Sequence, residues 1–219
     1  MRFIDLSHLI DDGLVTYQGL PAVHICDFLS REDSKANYAD GTEFQIGKIE
    51  MVGNSGTYLD APFHRFADGK DLSELPLEKL VNLPAIVVDV AGEHVKAIDA
   101  EYFDDWELKG HAVLIRTGWY KRWNTEGYYQ NHPFITEDAA QFLVEAKVAL
   151  VGIDSYNIDD TRGNARPAHT HLLGAEIPIV EHLNSLEELP ERGFQFSAIP
   201  PKIKGFGTFP VRAFATLEE

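Results

Sequence analysis

The sequence predicts an α/β protein with a mixed, barrel-like β core and helices packed outside it. Three observations carry that expectation. Five apolar runs read as strands, two of them, "AIVVDVAG" and "AVLIRTGW", short, β-branched and bounded by Gly or Pro. After residue 70 such runs alternate with helix-forming segments. Both ends of the chain are strand-heavy, the C-terminal stretch "FQFSAIPPKIKGFGTFPVRAFA" being punctuated by turn residues.

In chain order, "EFQIGKIEMV" is an imperfectly alternating strand that leads directly into the segment "NSGTYLDAPFHRFADG", Asn54 to Gly69. In "ELPLEKLVNL" Pro76 stands near a helix start, a favoured place for proline. "AIVVDVAG" is the next strand, and Asp99 is a cap for a helix over "AEYFDDWELK". "AVLIRTGW" is a third strand. Thr136 caps the helix "TEDAAQFLVEA", whose first-turn acids complement the helix dipole. "ALVGIDS" and "IPIVE" complete the apolar strands.

With 219 residues, 44% of them hydrophobic, the chain can fill one core, and a single domain over residues 1–219 is expected. A net charge of −16 argues against nucleic acid, which needs clustered Lys and Arg. Cys26 is the only cysteine, which excludes an intrachain disulfide and cysteine-built zinc sites. No apolar run approaches membrane-spanning length, and "MRFIDLSHLIDDG" lacks the layout of a secretory leader, so a cytoplasmic protein is expected. No GxGxxG or GxxxxGK follows a strand, and no GxSxG elbow occurs.

Two segments concentrate chemistry. If the first is extended, Asn54, Gly56, Tyr58, Asp60, Pro62 and His64 share one face. Gly56 and Pro62 restrict the backbone enough to hold Asp60 and His64 in set directions. The alternative is an ordinary bulged strand end with polar residues facing water. In the second, "PAHTHLLGAEIPIVEHLNSLEEL", His169 and His171 precede a short apolar turn and Glu181 closes a buried-looking strand. Asp60, His64, His169 and Glu181 together suit zinc or manganese. His171 would share a strand face with His169 and is the reserve ligand. His8, His24, His94, His111, His132 and His182 stand among unremarkable neighbours and are assigned no role.

These residues carry a resemblance. The chain resembles the cyclase family of metal-dependent hydrolases, which includes bacterial kynurenine formamidases and isatin hydrolases. The family's HxGTHxDxPxH pattern aligns without gaps on Asn54 through His64, matching Gly56, Thr57, Asp60, Pro62 and His64. The resemblance implies a swivelling β/β/α fold and a homodimer or homotetramer. It implies metal ligation by Asp60, His169 and Glu181, with His64 as general base and then acid, and hydrolysis of an amide, lactam or other C–N bond in a small molecule by metal-activated water. It aligns Tyr17 with an aromatic that packs against substrate. The pattern's two leading histidines are replaced by Asn54 and Tyr58, so one metal site is intact and the other dismantled. Asn54 and Tyr58 are expected to hydrogen-bond Asp60 or substrate. The alternatives are a metal-independent enzyme using His64 and Tyr58 as acid–base pair, and a non-catalytic metabolite-binding protein.

Overall fold

The structure is a computed structural model describing residues 1–93 and 95–218; His94 lies outside the described residues. The described residues form thirteen strands. They are β1 (Arg2–Asp5), β2 (His24–Leu29), β3 (Ile46–Glu50), β4 (Tyr58–Asp60), β5 (Leu83–Asp89), β6 (Ala97–Ile98) and β7 (Ala112–Arg116). Then come β8 (Phe134–Ile135), β9 (Leu150–Ile153), β10 (Ile179–Glu181), β11 (Arg192–Ser197), β12 (Thr208–Pro210) and β13 (Phe214–Leu217). The α-helices are α1 (Arg31–Ser34), α2 (Glu137–Glu145) and α3 (Pro167–Gly174).

Nine strands form one curled mixed sheet in the order β1-β13-β11-β5-β7-β9-β10-β4-β12. Its centre, β5-β7-β9-β10, is parallel and its flanks antiparallel. The parallel strands read as near-continuous apolar runs because both faces are covered. Successive residues of β7 show it: Leu114 joins the core cluster of Leu59, Val180 and Phe196, while Val113 and Ile115 join that of α2 and α3.

The Thr136 cap forms as expected, its hydroxyl accepting from Ala139 N–H at 3.4 Å at the head of α2. Asp99 also caps, accepting from Glu101 N–H, but it heads a single 3₁₀ turn, Ala100–Phe103, rather than a long helix. Asp104 and Asp105 at its end oppose a continuing helix dipole. Pro76 likewise precedes only the 3₁₀ turn Leu77–Lys79, because the chain reverses at Asn82 (φ 50°) to enter β5. The strand within "EFQIGKIEMV" is β3, which pairs with β2 in a two-stranded ribbon apart from the main sheet and is exposed at all five residues.

The largest departure from the sequence-based expectation is α3. The spacing of His169 and His171 suggests one strand face, whereas Pro167 starts a helix there. Two residues on a helix differ by about 200° in direction. His169 therefore faces inward, 5% exposed, and His171 faces α2, where it meets Glu137 Oε1 at 3.1 Å. His171 is thus turned away from the site and does not serve as a reserve ligand.

Candidate active site

Strand register assembles the site. β4 is only three residues long, and Leu59 enters the core while its neighbours Tyr58 and Asp60 take the opposite face. β10 runs antiparallel to β4 and sets Glu181 opposite Tyr58. β12, on the other side, sets Thr208 opposite Asp60. The expected single extended face ends at Asp60, because Pro62–His64 form a 3₁₀ turn that folds the His64 ring back to 3.6 Å (Nδ1) from Asp60 Oδ1. This close turn requires Gly207: a Cβ there would stand 2.5 Å from His64 N. Gly56 adopts φ 67° against Ile10, as its place in the motif demands.

Across from β4, α3 delivers His169. Its Nε2 lies 3.7 Å from Asp60 Oδ2 and 4.0 Å from Glu181 Oε1. Its Nδ1 meets Asp159 Oδ2 at 2.6 Å, and Asp159 also accepts from Ala168 N–H and His169 N–H at the head of α3. Asp159 thereby fixes the ring and leaves Nε2 facing the two other carboxylates. Asp60, Glu181 and Asp159 are all at most 1% exposed.

Three buried carboxylates around one imidazole are an arrangement that calls for a cation. Burial opposes protonation of His169, but the hydrogen bond to Asp159 and the nearby carboxylates of Asp60 and Glu181 hold its pKa up at about 10. Burial pushes Glu181 up to about 7, against the pull of His169. For Asp60, burial is outweighed by His64, His169 and Thr208, and its pKa is lowered. Asp60 Oδ2 is buried without any hydrogen-bond partner among the described residues. A donor atom from each of Asp60, His64 and His169 lies within 4.8 Å of the others. An unpartnered carboxylate oxygen, a free imidazole nitrogen and this spacing fit a divalent metal.

The expected pair Asn54 and Tyr58 is also in place, with a different partner. The Tyr58 hydroxyl donates to Glu181 Oε2, not to Asp60, and Glu181 Oε1 accepts from Ile158 N–H at 2.6 Å. Burial, then the charges of Glu181 and Asp60, raise the Tyr58 phenol well above its usual range, against a smaller opposing pull from the Asn54 amide. Tyr17, Asn54, Tyr58, His64, His169 and Glu181 line one cavity of about 420 Å³. The Tyr17 ring stacks on Tyr156 with centroids 4.5 Å apart.

Sequence reasoning missed Asp159, Thr208 and His182. His182 is fully buried and takes its place behind Tyr58: its Nδ1 is 2.6 Å from Tyr128 Oη and its Nε2 3.3 Å from Tyr58 Oη. Because Tyr58 donates to Glu181, its oxygen accepts from His182 Nε2–H, so Nδ1 accepts from Tyr128. Burial lowers the His182 pKa to about 3, consistent with that neutral ring. His24, His111 and His132 make contacts outside the cavity, with Asp12, Lys109 and Thr161.

A family model described as "Putative cyclase" matches residues 4–160 of the chain. The chain belongs to the cyclase family. That match spans Asn54–His64 and Asp159 and ends before His169 and Glu181. Kynurenine formamidase of Bacillus cereus is 27% identical over 214 residues, 97% of this chain and 96% of the relative. The Bacillus anthracis kynurenine formamidase is 26% identical with the same coverage. Among solved structures, isatin hydrolase A from Labrenzia aggregata superposes with a TM-score of 0.83 at 25% identity, covering 100% of this chain and 94% of that one. A structure described as a potential metal-dependent hydrolase with cyclase activity gives 0.80 at 25% identity, with 100% and 98% covered. The curled mixed sheet seen here is accordingly the cyclase-family fold.

Proposed function

We propose that the protein is a metal-dependent hydrolase of an amide, lactam or other C–N bond in a small organic molecule. Asp60, His169 and Glu181 would hold one divalent ion, zinc or manganese, and His64 would be the general base and then the general acid. The observation that carries this reading is the unpartnered, buried Asp60 Oδ2 facing His169 Nε2 at 3.7 Å, with Asp159 fixing the far side of that ring. The relatives support the bond class, being formamidases and an isatin hydrolase.

When bound, the ion supplies Lewis acidity that polarises a carbonyl and acidifies water. The remaining work falls to side chains. Thr208 donates its hydroxyl proton to Asp60 Oδ1, since a carboxylate only accepts, and so its oxygen accepts from His64 Nδ1–H at 2.7 Å. That leaves His64 Nε2 with a lone pair on a ring that lines the cavity. Nε2 takes the proton of the attacking water and returns it to the leaving nitrogen. Tyr17 offers an aromatic face to a planar substrate. Tyr58 supports Glu181 rather than acting as an acid, because its proton is committed to Oε2.

The test is a panel of aryl formamides, lactams and cyclic imides assayed before and after chelation, then with zinc or manganese restored. Turnover that disappears with chelator and returns with metal is expected. Undiminished turnover in chelator would overturn the metal-dependent reading.

A further inference from the structure

The cavity holds two cations that the hydrolytic reading does not use. Arg65 and Arg166 both line it, and both also line the adjoining surface depression beside α3. They enter from the two segments that build the site: Arg65 follows His64 directly, and Arg166 immediately precedes α3. The two are tied together, because Arg65 Nε donates to Thr170 Oγ1 at 3.3 Å and that hydroxyl donates to Arg166 O at 2.7 Å. Arg166 is anchored further by Nη1, which donates to the carbonyls of Asp160, Gly163 and Ala165. The guanidinium also lies near the Tyr17 phenol, both lining the cavity, and pulls the phenol's pKa down against its burial.

Neither arginine forms an ion pair among the described residues, although acids outnumber bases 35 to 19. Arg2, Arg116, Arg162 and Arg212 each have a carboxylate partner. A guanidinium held by backbone carbonyls is pre-organised, and its remaining N–H groups match a carboxylate. The chain's net charge and the buried Asp60 and Glu181 would otherwise repel an anion, so a local pair of cations is needed to admit one. A singly charged carboxylate suits that acidic floor better than a dianionic phosphate.

We propose, resting on the hydrolase reading, that the substrate is a carboxylate-bearing planar amide or lactam. Its carboxylate pairs with Arg65 and Arg166 at the rim, its ring lies along Tyr17, and its C–N bond reaches Asp60, His64 and His169.

Calorimetric titration of 2-propylbenzoate and the neutral 2-propylbenzamide, in which a propyl chain replaces the ring-borne N-acyl group, tests this without turnover. The wild type should bind the acid about tenfold more tightly than the amide, as expected of a charge-assisted pair. R65Q/R166Q should bring the two ligands within about twofold of each other with amide affinity kept, while R122Q, outside the cavity, should keep the preference. Because Arg166 also holds residues 160–165, R65Q alone is the second variant: the Arg65 guanidinium donates to Thr170 and lies over the Phe66 ring. It should reduce the preference at least about threefold. No preference in the wild type, or an unchanged preference in folded R65Q and R65Q/R166Q, overturns the proposal. A preference that holds while no C–N substrate turns over would instead fault the hydrolase reading alone.

Discussion

The Tyr58 hydroxyl donates a 2.6 Å hydrogen bond to Glu181 Oε2, directly across the register that pairs β4 with β10. The bond ties the motif segment to the strand carrying the expected third ligand and lies in front of the buried His182. Tyr58→Phe leaves Glu181 Oε2 without its donor and His182 Nε2–H without its acceptor. A loss of about 1–3 kcal/mol is expected in urea unfolding. An unchanged unfolding midpoint would mean that the buried chain of bonds contributes nothing. In the double variant Asn54→His/Tyr58→His, bound metal should rise from about one to about two per chain, since imidazole is the better ligand.

Thr208 links Asp60 to His64 and sets which ring nitrogen is free. Thr208→Val should lower kcat by about 10- to 100-fold while leaving metal content intact, as expected when a general base loses its orientation. His64→Asn should retain the metal and lose turnover. Metal lost together with turnover would make His64 a ligand, which its spacing from Asp60 and His169 also permits.

His171 is turned to Glu137 on α2. His171→Gln should leave metal content and activity at wild-type levels and change stability by no more than about 0.5 kcal/mol, as for other surface positions. A fall in bound metal would contradict the helical placement of this histidine.

Fully buried His182 and partly buried His8 set an acid limit on stability. Burial lowers His182 to about 3 and His8 to about 4, both below the unfolded value of 6.5. Below pH 6.5 the unfolded chain therefore binds more protons, and stability falls as pH drops. The slope approaches about 1.4 kcal/mol per pH unit for each histidine that is protonated in the unfolded chain and neutral in the folded one. Urea midpoints at about pH 7, 6 and 5 should fall steadily in the wild type and less steeply in His182→Gln. A flat wild-type profile would refute the buried neutral rings.

Features legible in the sequence had a local cause. The parallel strands carry their own β-branched runs, and Thr136 carries its own cap. Asp60 and His64 sit in one restricted motif, and they meet. Hidden features depend on partners distant in sequence. Thr208 lies in "GFGTFP" with no signature, and only its register opposite Asp60, 148 residues away, gives it a place. Asp159 becomes meaningful once α3 starts above it, and α3 is itself obscured because two histidines spaced by two suggest a strand. His182 looks ordinary in sequence because a neutral buried imidazole has no marker beyond its neighbours Tyr58 and Tyr128.

Elemental analysis of the wild type and Asp60→Ala, purified without chelator or a metal-affinity tag, tests the central assignment most directly. The expected result is about one equivalent of zinc or manganese per wild-type chain, with metal and turnover both lost in Asp60→Ala. Wild-type protein holding less than about 0.1 equivalent of any divalent metal, with C–N hydrolysis undiminished in chelator, would contradict it.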